Sequence, residues 1–297
     1  MATLALQLLT YQKTETISPL FLSLKNQTDK DWLLYFSDNN SSPEIREKQK
    51  KIISDLQLDF PVVYKPVDKN LGYSGGHQFL FKSHDADYIL LINDDTILVP
   101  EYIASLRKYL DEHSDTAAVA GVILRWNFSA DGSIVKTQII DSLGLTKNRS
   151  HKVSDIGAGQ LFNEIKIPTQ VFGVSGCLPM YRRAAIKGQL FDPSYFLYKE
   201  DVDLAYRLQR AGWLAKIVPE AVAYHQRSFH ADLKRNSVSY NSQFLSYRNH
   251  WRNLRKHLTL KDWLRDGWAI VPFEMAKFVY FLFKHPTIIF RTLADFL

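Results

Sequence analysis

The feature that most restricts this chain's fold is an apolar run, Tyr88-Ile89-Leu90-Leu91-Ile92, that ends abruptly at Asn93-Asp94-Asp95. A run of this length without polar alternation reads as a strand buried on both faces. Thr3–Leu9, Trp32–Phe36, Pro61–Tyr64 and Ala117–Arg125 read as further strands. Between them Ser18–Asn26, with Ser18 as cap and Pro19 at the first helical position, Pro43–Leu58, His77–Lys82 and Pro100–Glu112 read as helices. This order predicts an α/β fold, a mixed and mostly parallel sheet with helices on both faces. Ligands of such sheets bind beyond the carboxyl ends of the strands. Three polar segments follow strands here: the loop with Asp38, the Gly-rich turn Asn70–Gly76, and Asn93-Asp94-Asp95.

Beyond this core, Asn127–Pro168 is polar and reads as a loop-rich insertion or the floor of a second ligand site. Val171–Met180 reads as a strand broken by Gly173 and Gly176. Glu200–Ala211 has the apolar spacing of an amphipathic helix, closed by Gly212. Leu214–Val218 is a last strand, followed by Pro219 and then His225. Ser242–His257 is a basic helical pattern, and Pro286 divides the apolar segment Trp268–Leu297 into two helices. These shifts suggest one domain over residues 1–240, in halves of about 1–125 and 126–240, with a helical region over 241–297.

A single cysteine, Cys177, excludes an intrachain disulfide and a cysteine-cluster zinc site. The opening MATLALQLLTYQ lacks a basic n-region and a clear cleavage site, so it reads as a strand and not a signal peptide. Together these point to a reducing, cytoplasmic compartment. The net charge of +6 is unevenly spread. Between His225 and Arg265, nine Lys/Arg (Arg227, Lys234, Arg235, Arg248, Arg252, Arg255, Lys256, Lys261, Arg265) face only Asp232 and Asp262. Such a block suits an anionic partner, either phospholipid, lipid-linked pyrophosphate or nucleic acid, or else a solvated helix face. No nucleic-acid recognition motif accompanies it. Charges interrupt Trp268–Leu297, so no stretch reaches the roughly 20 apolar residues of a membrane span. Lys277, Lys284 and Arg291 recur every seven residues. That spacing suits a helix lying in a membrane interface, on the inner face of the cell membrane, or a helix packed on the domain.

The acids carry the chemistry. Adjacent acids at the end of a buried strand are costly unless something positive sits there. Oxygen ligands beside a nucleotide diphosphate suit Mn²⁺ or Mg²⁺, whereas a helix cap with solvated acids is the plainer alternative. Glu200-Asp201-Val202-Asp203 places three acids at a helix start, where they either oppose the helix dipole or supply a general base for an acceptor hydroxyl. Crowding would raise the pKa of at least one of them. Gly176, Tyr198 and Asp203 are candidates for the acceptor side. His225 becomes a metal-ligand candidate if the fold brings it beside Asp95.

The ordered set of short motifs resembles the inverting family 2 glycosyltransferases of the GT-A fold, and most closely their rhamnosyltransferase-like branch. The matching pieces are Thr10-Tyr11-Gln12, Asp38 to Ser42, Asn70-Leu71-Gly72-Tyr73-Ser74-Gly75-Gly76 and Leu91 to Thr96. They continue with Val174 to Cys177, Phe191-Asp192, Phe196 to Arg207, Gly212-Trp213, Pro219-Glu220-Ala221, Tyr224-His225 and Tyr247-Arg248-Asn249. The resemblance covers about residues 3–255.

The resemblance implies roles. Asp38 would read the pyrimidine base of a nucleotide-sugar donor, with Thr10 and Gln12 beside it. Asn70 and the Gly75-Gly76 turn would form a donor loop. Asn93 and Asp95 match the outer positions of a DxD-type motif, so Asp95 and His225 would hold Mn²⁺ or Mg²⁺ and Asn93 or Asp94 the ribose. Asp201 would be the catalytic base and Glu200 would shape the acceptor pocket. The Phe196 to Leu204 form leans towards dTDP-rhamnose, with a UDP-hexose as the other donor class, and the acceptor would be a polysaccharide or lipid-linked glycan of the bacterial cell envelope. His77 stands where the family usually has Asn, Asn93 replaces the first acid of a strict DxD, and Gln12 replaces an Asn. Two other readings compete. A nucleotidyltransferase would want a basic, Gly-rich triphosphate loop near the N-terminus, and Thr3–Gln12 has none. An inactive GT-A-fold polysaccharide- or membrane-binding protein would have no need of Asp95, Asp201 and His225 together.

Overall fold

The computed structural model describes residues 3–226 and 239–296; Arg227, Asp232, Lys234 and Arg235 of the basic block lie outside the described residues. Strands β1 (Leu4–Thr10), β2 (Trp32–Asp38), β3 (Val62–Tyr64) and β4 (Tyr88–Asn93) are linked by helices α1 (Ile17–Lys25), α2 (Pro43–Asp55) and α3 (Gly72–Phe81). β5 (Thr96–Leu98) and α4 (Tyr102–Glu112) lead into the long β6 (Thr116–Phe128). Next come β7 (Ile134–Ser142), β8 (Leu145–Lys147), β9 (Val153–Asp155), β10 (Gln170–Val171) and β11 (Met180–Arg182). Helix α5 (Glu200–Arg210) and β12 (Leu214–His225) precede α6 (Tyr240–His257), α7 (Leu260–Lys284) and α8 (Pro286–Ala294).

The main sheet has the order β10-β12-β6-β11-β4-β1-β2-β3, with β5 on β12 and β7 on β6. β1 to β4 run parallel, as do β6 and β12, and short β11 runs antiparallel between β4 and β6. The uninterrupted apolar strands need cover on both faces, and helices supply it. Leu4, Leu6, Leu8, Leu90 and Ile92 share a core with Ile17 and Leu20 of α1 and Ile103 and Leu106 of α4. Their alternates Ile89 and Leu91 pack with Phe81 of α3 and Leu204 and Leu208 of α5. Each fully buried Leu or Ile contributes about 1.5–3 kcal/mol.

Register then builds the site. Thr10 stands opposite Asp38, and Leu9 opposite Asn93. The carboxyl ends of β2, β1 and β4 therefore deliver their polar residues side by side along one edge.

Several expectations need correction. Asn127–Pro168 is not mainly loop: β7 pairs with β6, and β8 with β9. Exposed Ile134 and Val135 on β7 hid the pattern, because half of that strand faces water. Gly75 and Gly76 are not a turn but lie inside α3. A Cβ on Gly76 would sit 2.6 Å from the Leu9 methyls, so this glycine lets α3 press on β1 and does not open backbone to a ligand. α1 begins at Ile17 after Thr16, not after Ser18. Val171–Met180 splits into β10 and β11 around a loop. β12 runs through Pro219, which lacks an N–H, by a register shift between Val218 and Val222, and so carries His225 at its end.

The basic block and the C-terminal stripe also change meaning. Arg248 and Arg252 donate to the Ser194 carbonyl and pair with Asp295, Lys256 pairs with Asp192 and Asp203, and Arg265 with Asp262 and Asp266. Arg248, Arg252 and Lys256 thus tie α6 to neighbouring segments, and Arg265 pairs within α7, so all four already have carboxylate partners. In α7 the polar side faces inward. Asp266 Oδ2 lies 3.3 Å from His151 Nε2, and Glu274 Oε1 lies 2.7 Å from His250 Nε2. Lys277 pairs with Glu274, Lys284 donates to Tyr280 Oη, and Arg291 stacks on Phe244. Leu264, Trp268, Met275 and Phe283 face outward at 79, 70, 62 and 84% exposure. The outer surface of α7 is therefore apolar where a basic stripe was expected. No helix among the described residues is long and apolar enough to cross a membrane.

Candidate active site

Two acidic clusters meet across one short loop. At the end of β4, Thr10 Oγ1 donates to Asp94 Oδ2 at 2.7 Å. Burial first, then the Asp95 charge, push the Asp94 carboxyl up from its ordinary range. The Asp95 carbonyl is pinned by the Gln226 N–H at 2.8 Å and by Trp126 Nε1 at 3.0 Å. β12 pairs with β5, and this brings His225 Nε2 to 3.1 Å from Asp95 Oδ1. The other ring nitrogen, Nδ1, lies 2.8 Å from Asp141 Oδ2. Burial alone would lower the His225 pKa, but Cys177, Asp95 and Asp141 outweigh it and hold it well above the ordinary value. Asp141 is the orienting carboxylate of this histidine. No motif marks it, because it sits on β7, inside the stretch read as loop.

Asn93 Oδ1 is buried without a hydrogen bond, and Asp95 Oδ1 is buried with the His225 ring 3.1 Å away. Buried oxygens beside an imidazole are a donor set that a hard divalent cation satisfies. Among the described residues no group of three or more His, Cys, Asp or Glu is arranged to hold a metal by itself. Asp95 and His225 would hold Mn²⁺ or Mg²⁺ only together with ligands from outside the chain, a partial donor set of the kind such ions commonly use.

The second cluster opens α5. Asp201 accepts from the Gly176 N–H at 3.1 Å through Oδ2 and from the Val202 N–H at 2.7 Å through Oδ1. Glu200 Oε2 is buried without a hydrogen bond. Burial and the Asp201 charge raise the Glu200 carboxyl; burial and Asp155 raise that of Asp201. Tyr73 Oη donates to the Gly176 carbonyl. The next residue, Cys177, accepts from the Asn93 N–H through its carbonyl at 3.1 Å. Consecutive residues of one loop thus bond to Asp201 and to Asn93. This joins the two clusters into one site.

The loop before α5 is held in an unfavourable shape. Phe196, Tyr198 and Lys199 have φ of 62, 73 and 68°, in a region non-glycine residues seldom enter. Asn249 on α6 holds it there: its Nδ2 donates to the carbonyls of Tyr195, Leu197 and Tyr198 at 2.9, 2.9 and 2.7 Å. Asn253 Nδ2 donates to the Lys199 carbonyl at 3.1 Å. Gly72 (φ 69°) permits the Phe196 carbonyl to come close, since a Cβ there would stand 2.3 Å from it.

The remaining candidates fall in different places. Asp38 is fully buried, paired with Arg46 and accepting from the Ser41 N–H at 3.2 Å. In the fold it anchors its own loop. Asn70 Oδ1 accepts from Asn39 Nδ2 at 3.0 Å, so these loops are tied together, and the Gln12 N–H donates to Ser41 Oγ at 2.8 Å. His77 is a core residue against Gln7, its pKa pushed down to about 3 by burial, and is not part of a donor loop. Tyr198 is exposed, its hydroxyl 3.3 Å from Ser242. Asp203 is not an acceptor residue: it is fully buried and bonded to Arg207, Lys256 and His257 at 2.9, 2.8 and 2.8 Å. Burial would raise its carboxyl, but these partners hold it well below the usual range.

The family model described as glycosyl transferase family 2 matches residues 8–188. A curated relative from Mycobacterium tuberculosis, N-acetylglucosaminyl-diphospho-decaprenol L-rhamnosyltransferase, is 47% identical over 57 residues, 18% of each chain. The match thus spans under a fifth of that relative. Among solved structures, GalNAc-T7 with UDP, GalNAc and Mn²⁺ superposes with a TM-score of 0.64 at 12% identity, over 85% of this chain and 48% of that one. The mannosyltransferase PcManGT from Pyrobaculum calidifontis, in complex with GDP-Man and Mn²⁺, gives 0.59 at 12% identity, over 94% and 74%. The structural likenesses show a GT-A-type fold, and the family model, which matches more than half of its length, places the chain in glycosyl transferase family 2.

Proposed function

We propose that this glycosyltransferase moves a sugar from a nucleotide-sugar donor to a glycan acceptor with inversion, using Asp201 as base. The joined site supports this most directly, because the Gly176-Cys177 loop sets a carboxylate beside a nucleotide- and metal-type edge. The acceptor hydroxyl gives its proton to Asp201 while its oxygen bonds the anomeric carbon. The bond from that carbon to the donor phosphate breaks with its electron pair, and nucleoside diphosphate leaves. Asp95 and His225 would hold Mn²⁺ or Mg²⁺, which supplies Lewis-acid charge for the leaving diphosphate. Asp38, Thr10, Gln12 and Asn70 lie on the edge proposed to hold the nucleoside, with Asn93 or Asp94 at its ribose. Residues 1–125 would bind donor and 126–240 the acceptor.

The short mycobacterial match supports dTDP-rhamnose as donor and a lipid-linked acceptor, with a UDP-hexose as the other donor class. Calorimetry tests the donor site. A nucleotide sugar should bind with Mn²⁺ or Mg²⁺ and lose at least about tenfold in affinity in EDTA or in Asp95→Ala, the loss of one charged contact. Equal affinity in EDTA would remove the metal, and no binding in any arm would remove the donor reading.

The apolar outer face of α7 supports peripheral attachment to the inner face of the cell membrane. Replacing Leu264, Trp268 and Phe283 together by Ser should cut sedimentation with phosphatidylethanolamine/phosphatidylglycerol vesicles by about tenfold or more. Nucleotide binding should be unchanged. Undiminished sedimentation would contradict the attachment.

A further inference from the structure

A cavity of about 580 Å³ opens between α6, α7 and the loop that precedes α5, where Lys199 stands two residues before Asp201. Its lining divides by chemistry. Lys152, Lys199 and Lys277 bring three ammonium groups, and no carboxylate lines it. Tyr247, Phe273, Tyr280 and Phe281 bring four aromatic rings. Lys277 is already paired with Glu274. Lys199 has no side-chain hydrogen bond or ion pair among the described residues, although it is half-buried and directly precedes Glu200-Asp201. Holding a desolvated ammonium without a partner is costly, so the position calls for an anion. Its pKa is accordingly lowered, by burial first, against the opposing pull of Asp201 and Glu200.

Three of the rings, Phe273, Tyr280 and Phe281, belong to α7 and Tyr247 to α6, and α7 also carries Val271, Met275, Val279 and Leu282, all exposed. Ammonium groups and aromatic rings share this lining, Lys277 Nζ lying 5.2 Å from the Tyr247 and Phe273 ring centres, and the outer face of α7 is apolar. A sugar polymer makes no use of that apolar face, whereas an amphiphile with a phosphorylated head and a hydrocarbon chain matches both kinds of lining group.

We propose that this cavity binds the acceptor as a phosphorylated lipid, with Lys199 and Lys152 on the phosphate or diphosphate and the rings of Tyr247, Phe273, Tyr280 and Phe281 on the first part of the chain. The inference rests on the glycosyl-transfer reading and gives its lipid-linked acceptor a place and contact residues. Lys199 would fix how far the acceptor hydroxyl stands from Asp201.

The test uses the full chain, saturated with UDP or dTDP and Mn²⁺, and farnesyl diphosphate as probe. Inorganic pyrophosphate and farnesol are the separate arms. Farnesyl diphosphate should bind saturably and at least about tenfold more tightly than either fragment, since each kind of lining group adds its own contacts. Lys199→Gln should weaken farnesyl diphosphate about tenfold or more and leave farnesol unaffected. Phe281→Ser should weaken farnesyl diphosphate and farnesol but not pyrophosphate. Retained nucleotide binding shows that both variants are folded. If farnesyl diphosphate binds no better than pyrophosphate, is displaced by excess nucleotide, or is indifferent to Lys199→Gln, the cavity is not the acceptor site. Nucleotide affinity in the same titrations reports on the donor reading separately, so the two can fail independently.

Discussion

Asp201→Asn should leave donor affinity and fold in place and lower sugar transfer by about 10²–10⁴-fold, the usual contribution of a positioned general base. The carboxylate is aimed by the Gly176 and Val202 N–H groups. A carboxamide can still accept one of those bonds, so the loss of structure is limited to about 1 kcal/mol. It cannot take the acceptor's proton at a useful rate. In the parent enzyme the base must be ionised, and burial followed by Asp155 raises its pKa. Transfer should therefore rise with pH through a midpoint above the ordinary aspartate value of about 3.9 and then level off. Near-parent transfer by Asp201→Asn, or a midpoint at or below that value, would take the base role from Asp201.

Asn249→Leu should also lower transfer, by a different route. Its amide makes three hydrogen bonds to the loop carbonyls that precede Glu200. Two N–H donors are shared among the three carbonyls, so their loss costs about 2 kcal/mol, and the three left-handed residues they restrain are then free to relax. A fall in melting temperature of several degrees should accompany the change, about 2–4 °C per kcal/mol for a chain of this size. The diagnostic reading is kinetic. Asn249 touches no reacting group, so kcat should fall at least about tenfold while the donor KM stays within about twofold. Asn249→Gln, which keeps the donating amide, should recover part of kcat. A melting shift without a kcat change would make Asn249 structural only.

Much of the donor edge was legible because parallel strands buried on both faces carry an unmistakable apolar run. Tyr88 to Ile92, and the polar residues that end it, located both the sheet and one side of the site. Glu200-Asp201 was legible because acids at a helix start stand out against an amphipathic pattern. What was not legible depends on distant pairing. Asp141 reaches His225 only because β7 folds onto β6, and an exposed antiparallel strand carries little apolar signal. Asp203 resembled its two acidic neighbours, yet helical spacing turns it inward to His257 and Arg207. Gly76 looked like a donor-loop glycine, and only the Leu9 contact shows that it serves helix packing. The direction of α7 was misread for a related reason. Lysine and arginine suggest water, but here buried Asp266 and Glu274 and the rings of α6 draw the polar side inward.

The central claim is transfer from a nucleotide sugar at the joined site. Nucleoside-diphosphate release across a panel of dTDP-, UDP- and GDP-sugars, with Mn²⁺, Mg²⁺ and EDTA arms and Asp201→Asn beside the parent chain, tests it most directly. The account predicts metal-dependent release from at least one donor, with dTDP-rhamnose the foremost candidate, and its loss in Asp201→Asn. Release from no donor with either metal, or equal release by parent and variant, would contradict it.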